Sequence, residues 1–327
     1  MNRGNRRDCT RRRGPGQRAQ GRGPASQSTV DDMLVAGARL AGEGFKGQPD
    51  TRDEVYQILV ELVSDTGDAD RTIGLARERV AAARAGFGAE DPRTAPTEVM
   101  LAGVLMNFGQ TDEARTLLAH AGTVLDRAGD RTSIERARLW RWQGNLELLS
   151  EGRVPWQAHP LRRALDLLRA RYPEDDELMA ALSTAPNAAC NSGDAAAALK
   201  AADELAVLAA RRYGPTSLYA LDARVARAEI QLRTGAAAEA VQVLQGAVQE
   251  TGRLLGESHP NAVMNRLFLA RALGASGQQA ESARFFAEAR QLLDRFHAGD
   301  TRLGGAYEGI QAQVKRIAEG HLPHCGD

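Results

Sequence analysis

The residues of this chain that could do chemistry are few and scattered. His321-Leu322-Pro323-His324-Cys325 puts two imidazoles and a thiol within five residues. Those atom types ligate zinc, but the run lacks a fourth ligand and any scaffold to hold a tetrahedron. Cys9, Cys190 and Cys325 are odd in number, far apart and without a Cys-x-x-Cys pair. That spacing indicates neither a disulfide framework nor a zinc knuckle, and it fits a reducing cytoplasm. Cys190, beside Ala188 and Ala189, reads as a small buried residue rather than a nucleophile. Phosphoryl transfer needs a phosphate-covering glycine loop, a phosphate-binding lysine, a catalytic aspartate and magnesium ligands. The only lysines are Lys46, Lys200 and Lys315, no His-Arg-Asp or Asp-Phe-Gly triplet occurs, and Gly21-Arg22-Gly23 lacks a third glycine in place. Asp175-Asp176 falls at a helix start, where the dipole favours negative charge, and His259-Pro260 falls in a turn. The expectation is a chain without catalytic, cofactor or metal chemistry.

What remains is architecture, and it is written as a repeat. Gly235-Ala-Ala-Ala-Glu239-Ala240 is answered 42 residues on by Gly277-Gln-Gln-Ala-Glu281-Ser282, and Tyr213-Gly214-Pro215 is answered at the same spacing by Leu255-Gly256. Self-similarity at a fixed period signals units that bury their apolar faces by stacking on neighbours. Glycines recur at Gly67, Gly109, Gly152, Gly193, Gly235 and Gly277, at intervals of 42, 43, 41, 42 and 42. Five residues after each stand Thr72, Ala114, Gln157, Ala198, Ala240 and Ser282, five of them small enough for a close helix crossing. Each unit therefore reads helix, tight turn, helix. First helices are expected at 53–65, 94–108, 132–150, 176–191, 217–233 and 260–275, and second helices at 69–85, 111–127, 158–171, 194–212, 236–254 and 278–296. Pro155 and Gln157 make the third unit irregular, and Pro186 inside a first helix predicts a kink in the fourth.

Around the repeats, residues 29–50 read as an N-terminal capping helix and linker, 51–299 as the six helix-pair units, 300–318 as a C-terminal capping helix, and 319–327 as a flexible tail. Residues 1–28 hold eight arginines against Asp8 alone, which makes the arm +7 and the remainder −7. With almost nothing to bury, that arm is expected to be disordered. A basic arm suits nucleic acid or an anionic surface, but no aromatic residue is interleaved for base stacking, which disfavours nucleic acid. The N-terminal charges precede no apolar stretch, and no run of about 18 apolar residues occurs, so neither a signal peptide nor a membrane span is expected.

A helix pair with glycine, then Glu-Ala four and five residues later, closed by Gly-x-x-His-Pro and repeated every 42 residues, resembles the tetratricopeptide repeat in its longer, kinesin-light-chain-like form. The likeness covers roughly 53–296 and is best in units five and six. Leu267-Phe-Leu-Ala270 through Gly277 is similar to the family's first helix, and Leu254-Leu-Gly-Glu-Ser-His-Pro260 to its inter-repeat turn. Upstream, Met33-Leu34 with Gly37-Ala38-Arg39-Leu40 and then Gln48-Pro49-x-x-Arg52 resembles the junction before such repeats in some bacterial serine/threonine protein kinases, whose catalytic half is absent here. The resemblance implies an all-α, right-handed superhelical solenoid of about six antiparallel helix pairs. It also implies a non-catalytic scaffold that binds a peptide or protein along the concave wall of first helices. A regulatory or sensor fragment related to such a kinase is the alternative, and the basic arm a second one. Groove-facing positions in the family fall ten and six residues before the turn glycine. In this chain those are Gln57 and Glu61, Val99 and Gly103, Trp142 and Leu146, Ser183 and Asn187, Val225 and Glu229, and Leu267 and Arg271, with Trp142, Leu146, Asn187, Glu229, Leu267 and Arg271 as the candidate partner-binding set. The family's lysine-and-asparagine clamp for a chaperone tail is not reproduced, which argues against a dicarboxylate ligand.

Overall fold

The computed structural model describes residues 30–326 apart from 46, 65–67 and 150–153. The basic arm, with Cys9, and the glycines Gly67 and Gly152 lie outside the described residues. An N-terminal helix α1 (Val30–Glu43) precedes six helix pairs. The pairs are α2 (Pro49–Ser64) with α3 (Ala69–Gly86), α4 (Ala95–Asn107) with α5 (Thr111–Arg127), α6 (Ile134–Glu147) with α7 (Pro160–Arg171), α8 (Asp176–Asn191) with α9 (Ala195–Tyr213), α10 (Leu218–Arg233) with α11 (Ala237–Leu255), and α12 (Pro260–Ala275) with α13 (Gln279–Phe296). A final helix, α14 (Thr301–Ala318), follows, and no strand occurs among the described residues.

The turns inside the pairs share one device. At Gly109, Gly193, Gly235 and Gly277 φ lies between +79° and +90°, a left-handed conformation that only glycine adopts without a Cβ penalty. The residue after each glycine donates its N–H to the carbonyl five residues before it: Gln110 to Leu105, Asp194 to Ala189, Ala236 to Gln231 and Gln278 to Leu273, at 2.8–2.9 Å. This 6→1 bond satisfies a carbonyl the helix end would otherwise leave open. Gly320, 43 residues after Gly277, repeats the arrangement with φ +90° and a bond from His321 N–H to Arg316 O. By its packing on α12, α14 stands where the first helix of a further unit would stand. After Gly320 no second helix begins, and residues 321–326 run on without regular structure.

The small residues at the crossings are closed off as their spacing predicts. Thr72, Ala114, Ala198, Ala240 and Ser282 are buried, and the Ser282 hydroxyl donates to the Ala270 carbonyl of the partner helix at 2.7 Å. Gln157 is exposed instead. A single 3-10 turn at Trp156–Ala158 delays α7 until Pro160, so the third unit crosses further along the chain. There Gly144 of α6 meets Leu161, whose backbone nitrogen would lie 2.8 Å from a Cβ at position 144. Ala164 and Leu165 fill the space behind. The proline at 186, where a kink is expected, does not end the helix: α8 runs through it to Asn191.

The side of the array is decided by which helices touch. α4 packs on α6, α6 on α8, α8 on α10, α10 on α12 and α12 on α14, so first helices line up against first helices. Second helices instead reach along the array through long side chains, as in Arg77–Glu113 between α3 and α5 and Arg169–Glu204 between α7 and α9, both 2.6 Å. Tight stacking on one side and splayed stacking on the other makes the first-helix side the inner wall.

Candidate functional site

The inner wall is not equally open along its length. Between units two and three it is filled: a Cβ at Gly103 would lie 2.4 Å from the indole of Trp142, so the glycine exists to admit that ring. Arg141 stacks over the same ring at 4.3 Å. Leu146 is buried in the core beside Leu139, and Val99 is buried as well. In unit one, Gln57 is taken up by Arg79, which donates to it at 3.1 Å while holding Asp53. Sequence reasoning placed Trp142 and Leu146 at the groove, but the structure uses both for stacking. Leu267 is corrected likewise. It is fully buried among Leu293, Leu303 and Tyr307, because α14 packs over α12 where a last repeat would present an open face.

Units four to six are different. Asn187, Glu229 and Arg271, the three remaining candidates, come together on α8, α10 and α12. Arg271 forms an ion pair with Glu229 and donates to Gln313 of α14. It is 9% exposed, and desolvation lowers its pKa to about 10, which leaves it charged at neutral pH. Its Nε and the Glu229 Oε1 are buried without a hydrogen-bond partner.

From this pair a cleft of about 450 Å³ opens toward the N-terminal ends of the first helices. Its polar lining is Ser183, Asn187, Asp222, Asn261 and the buried Asn265, and its apolar lining includes Val225, Met264 and Phe268. Asp222 is exposed to solvent on one side, and the cleft walls on its other side desolvate its carboxyl enough to raise its pKa. Asp222 and Met264 lie thirteen residues before the turn glycines of their units, one helical turn beyond the positions ten and six before them. They belong to the same stripe and could have been found by extending it by one turn. Asn265 is not within reach of that rule; it is buried and donates to Thr251 of α11 at 2.8 Å.

The opposite end of the groove holds a second cleft, of about 340 Å³, lined by Asn187, Glu229, Arg233, Arg271, Gln313 and Arg316, and by His321, Leu322, Pro323 and His324. The segment after α14 therefore lies across the inner wall. It is fastened there by a disulfide between Cys325 and Cys190, 135 residues apart, and by a bond from the Cys325 N–H to the Arg233 carbonyl at 3.1 Å. Sequence spacing pointed away from any disulfide and toward a flexible tail. The pairing was not legible because it depends on the curvature that returns residue 325 to the end of α8. It also takes up Cys325, the thiol that a His-His-Cys metal site would have needed, and it removes the ground on which a reducing compartment was expected. No helix among the described residues is long and apolar enough to cross a membrane.

No protein-family model matches this chain, and no curated protein is found to match it. Among solved structures it is similar to a signal transduction ATPase with numerous domains that carries a tetratricopeptide repeat sensor, from Pyrococcus horikoshii, with a TM-score of 0.59 and 14% identity. The fold is that of tetratricopeptide repeats. The match covers 88% of this chain and 42% of that one, so this chain spans less than half the length of that protein. A kinesin light chain of Podosopora anserina with nearly identical repeats of this type aligns over 79% of this chain and 95% of its own, at 17% identity and a TM-score of 0.37.

Proposed function

We propose that the chain is a non-catalytic scaffold that holds an extended segment of a partner protein on the wall formed by α8, α10 and α12. The observation that carries this reading is the composition of the open cleft: side-chain amides and hydroxyls around an apolar floor, on rigid helices rather than loops. Asparagine both donates and accepts, and so can pair with the alternating N–H and C=O groups of an extended backbone. The apolar floor supplies pockets for alternate side chains. A sensor or regulatory role beside a separate enzyme is the second reading. The description of the Pyrococcus protein's repeats as a sensor favours it, although that likeness is one of fold. The kinship with repeat-bearing bacterial kinases is a proposal from the sequence, and a kinase domain encoded next to this chain would support it.

Panning a random peptide-display library on the full chain tests the first reading. Enriched peptides are expected to bind the parent and to bind a chain carrying Asn187→Ala and Asp222→Asn at least tenfold more weakly. Both side chains are exposed, so the melting temperature should change by no more than about 0.5 kcal/mol implies. Equal binding by parent and double variant would place the site elsewhere.

A further inference from the structure

The segment after α14 rests on the wall that the proposed function assigns to a partner, and its chemistry suits that place poorly. The cleft it borders presents Arg233, Arg271 and Arg316 against the single carboxylate of Glu229, and the segment brings His321 and His324, with no acid among the residues it contributes. Leu322 stays 45% exposed rather than filling the floor. A main-chain bond from Cys325 to Arg233 and the covalent bond to Cys190 are among the contacts that hold it there. Cys190 lies one helical turn after Asn187 on α8, so the covalent bond pins the segment beside a groove residue.

We infer that residues 321–326 are an intramolecular occupant of the groove, latched by the Cys190–Cys325 disulfide, and that reduction by a dithiol frees this end of the wall for an extended acidic peptide. The inference rests on the proposed function for the nature of the partner. Acidic side chains would face a cleft in which Arg233, Arg271 and Arg316 outnumber the single carboxylate of Glu229. The exchange balances with the dithiol alone. One of its thiolates attacks Sγ of Cys325, the partly exposed half of the bond, and Cys190, fully buried, leaves as a thiolate that takes up a proton. The second thiolate of the reductant then displaces Cys325 from the mixed disulfide, and Cys325 takes up the other proton. Two electrons pass to the protein, and the dithiol ends as a disulfide. Reoxidation by a disulfide of suitable potential reverses both steps.

The experiment uses the full chain in three forms: oxidised, reduced with dithiothreitol, and carrying Cys325→Ser. Hydrogen exchange is followed at residues 321–326, and fluorescence anisotropy follows a labelled peptide of residues 319–327 that carries His321→Glu, His324→Glu and Cys325→Ser. Exchange of the segment should quicken at least tenfold in the reduced and Cys325→Ser chains, and the peptide should bind both at least tenfold more tightly than the oxidised chain. Exchange that is unchanged on reduction would overturn the latch. Equal peptide affinity in all three forms would overturn occupancy of the groove. Faster exchange with no binding by any form supports the latch and overturns the acidic partner, so a failed latch and a failed binding reading give different results. Reduction of the unmutated chain keeps the test valid should Cys325→Ser fold poorly.

Discussion

His159 and His259 open α7 and α12 in the same way, each with Nδ1 accepting a hydrogen bond from the backbone N–H two residues on, Leu161 at 3.2 Å and Asn261 at 3.1 Å. The proline that follows each has no N–H to leave unsatisfied at the first helical position. An imidazole that accepts at Nδ1 cannot be protonated there. At His159, 3% exposed, burial also depresses the folded pKa below its ordinary value. The unfolded chain then binds the proton more readily, so the stability this residue contributes is full above about pH 6.5 and is lost as the pH falls through the depressed folded value. His120 has the opposite sign. Its hydrogen bond to Glu98, at 2.7 Å, raises its pKa, so its contribution is full in acid and is lost as the pH rises through the raised value. The difference between parent and His159→Asn, which keeps a capping acceptor without a titration, isolates the first effect. The parent's melting temperature should fall more steeply than the variant's between about pH 7 and pH 5. Parallel curves would show that His159 does not couple folding to protonation.

At the scale of the elements, the helices were readable because two signals agree, a glycine every 41 to 43 residues and a small residue five positions later. The third unit was not, since a 3-10 turn shifts α7 and moves the crossing from residue 157 to the contact of Gly144 with Leu161. No periodicity marks that substitution, because the signal sits on the opposite helix. It gives a sharp comparison. Gly144→Ala pushes a methyl group against a backbone nitrogen and should cost about 1–3 kcal/mol. Gly246→Ala, inside α11 with nothing within 4 Å of the added Cβ, should stabilise by about 0.5–1 kcal/mol through helix propensity. Trp140, Trp142 and Trp156 all lie in the third unit, so tryptophan fluorescence during urea unfolding reports the first variant locally. A Gly144→Ala chain as stable as the parent would mean that α6 and α7 can part without loss.

The candidate site was half legible for a reason that belongs to the whole molecule. Positions ten and six before a turn glycine are expected at the inner wall, but whether a side chain there is free depends on its neighbours in the next unit. Trp142 has Gly103 to pack on, and Leu267 is covered by α14, whereas Asn187 stays exposed. Arg271 and Glu229 do line the groove, yet as a buried pair they are poor probes of it. Removing either leaves its partner charged and unpaired at a cost of about 3–5 kcal/mol, which would confuse loss of fold with loss of binding. The segment after α14 was illegible because its place is set by a contact across 135 residues.

A photo-crosslinking residue placed on the first-helix wall of units four to six, and another placed on the outer helices, show which surface holds a partner. Position 187 on α8 and position 207 on α9 are both exposed, Val207 by 69%, and neither is buried in the core. With a peptide enriched by panning and the chain reduced, crosslinking is expected from position 187 and only background crosslinking from position 207. Crosslinking from position 207 with none from position 187 would contradict that expectation and move the binding surface to the outer face.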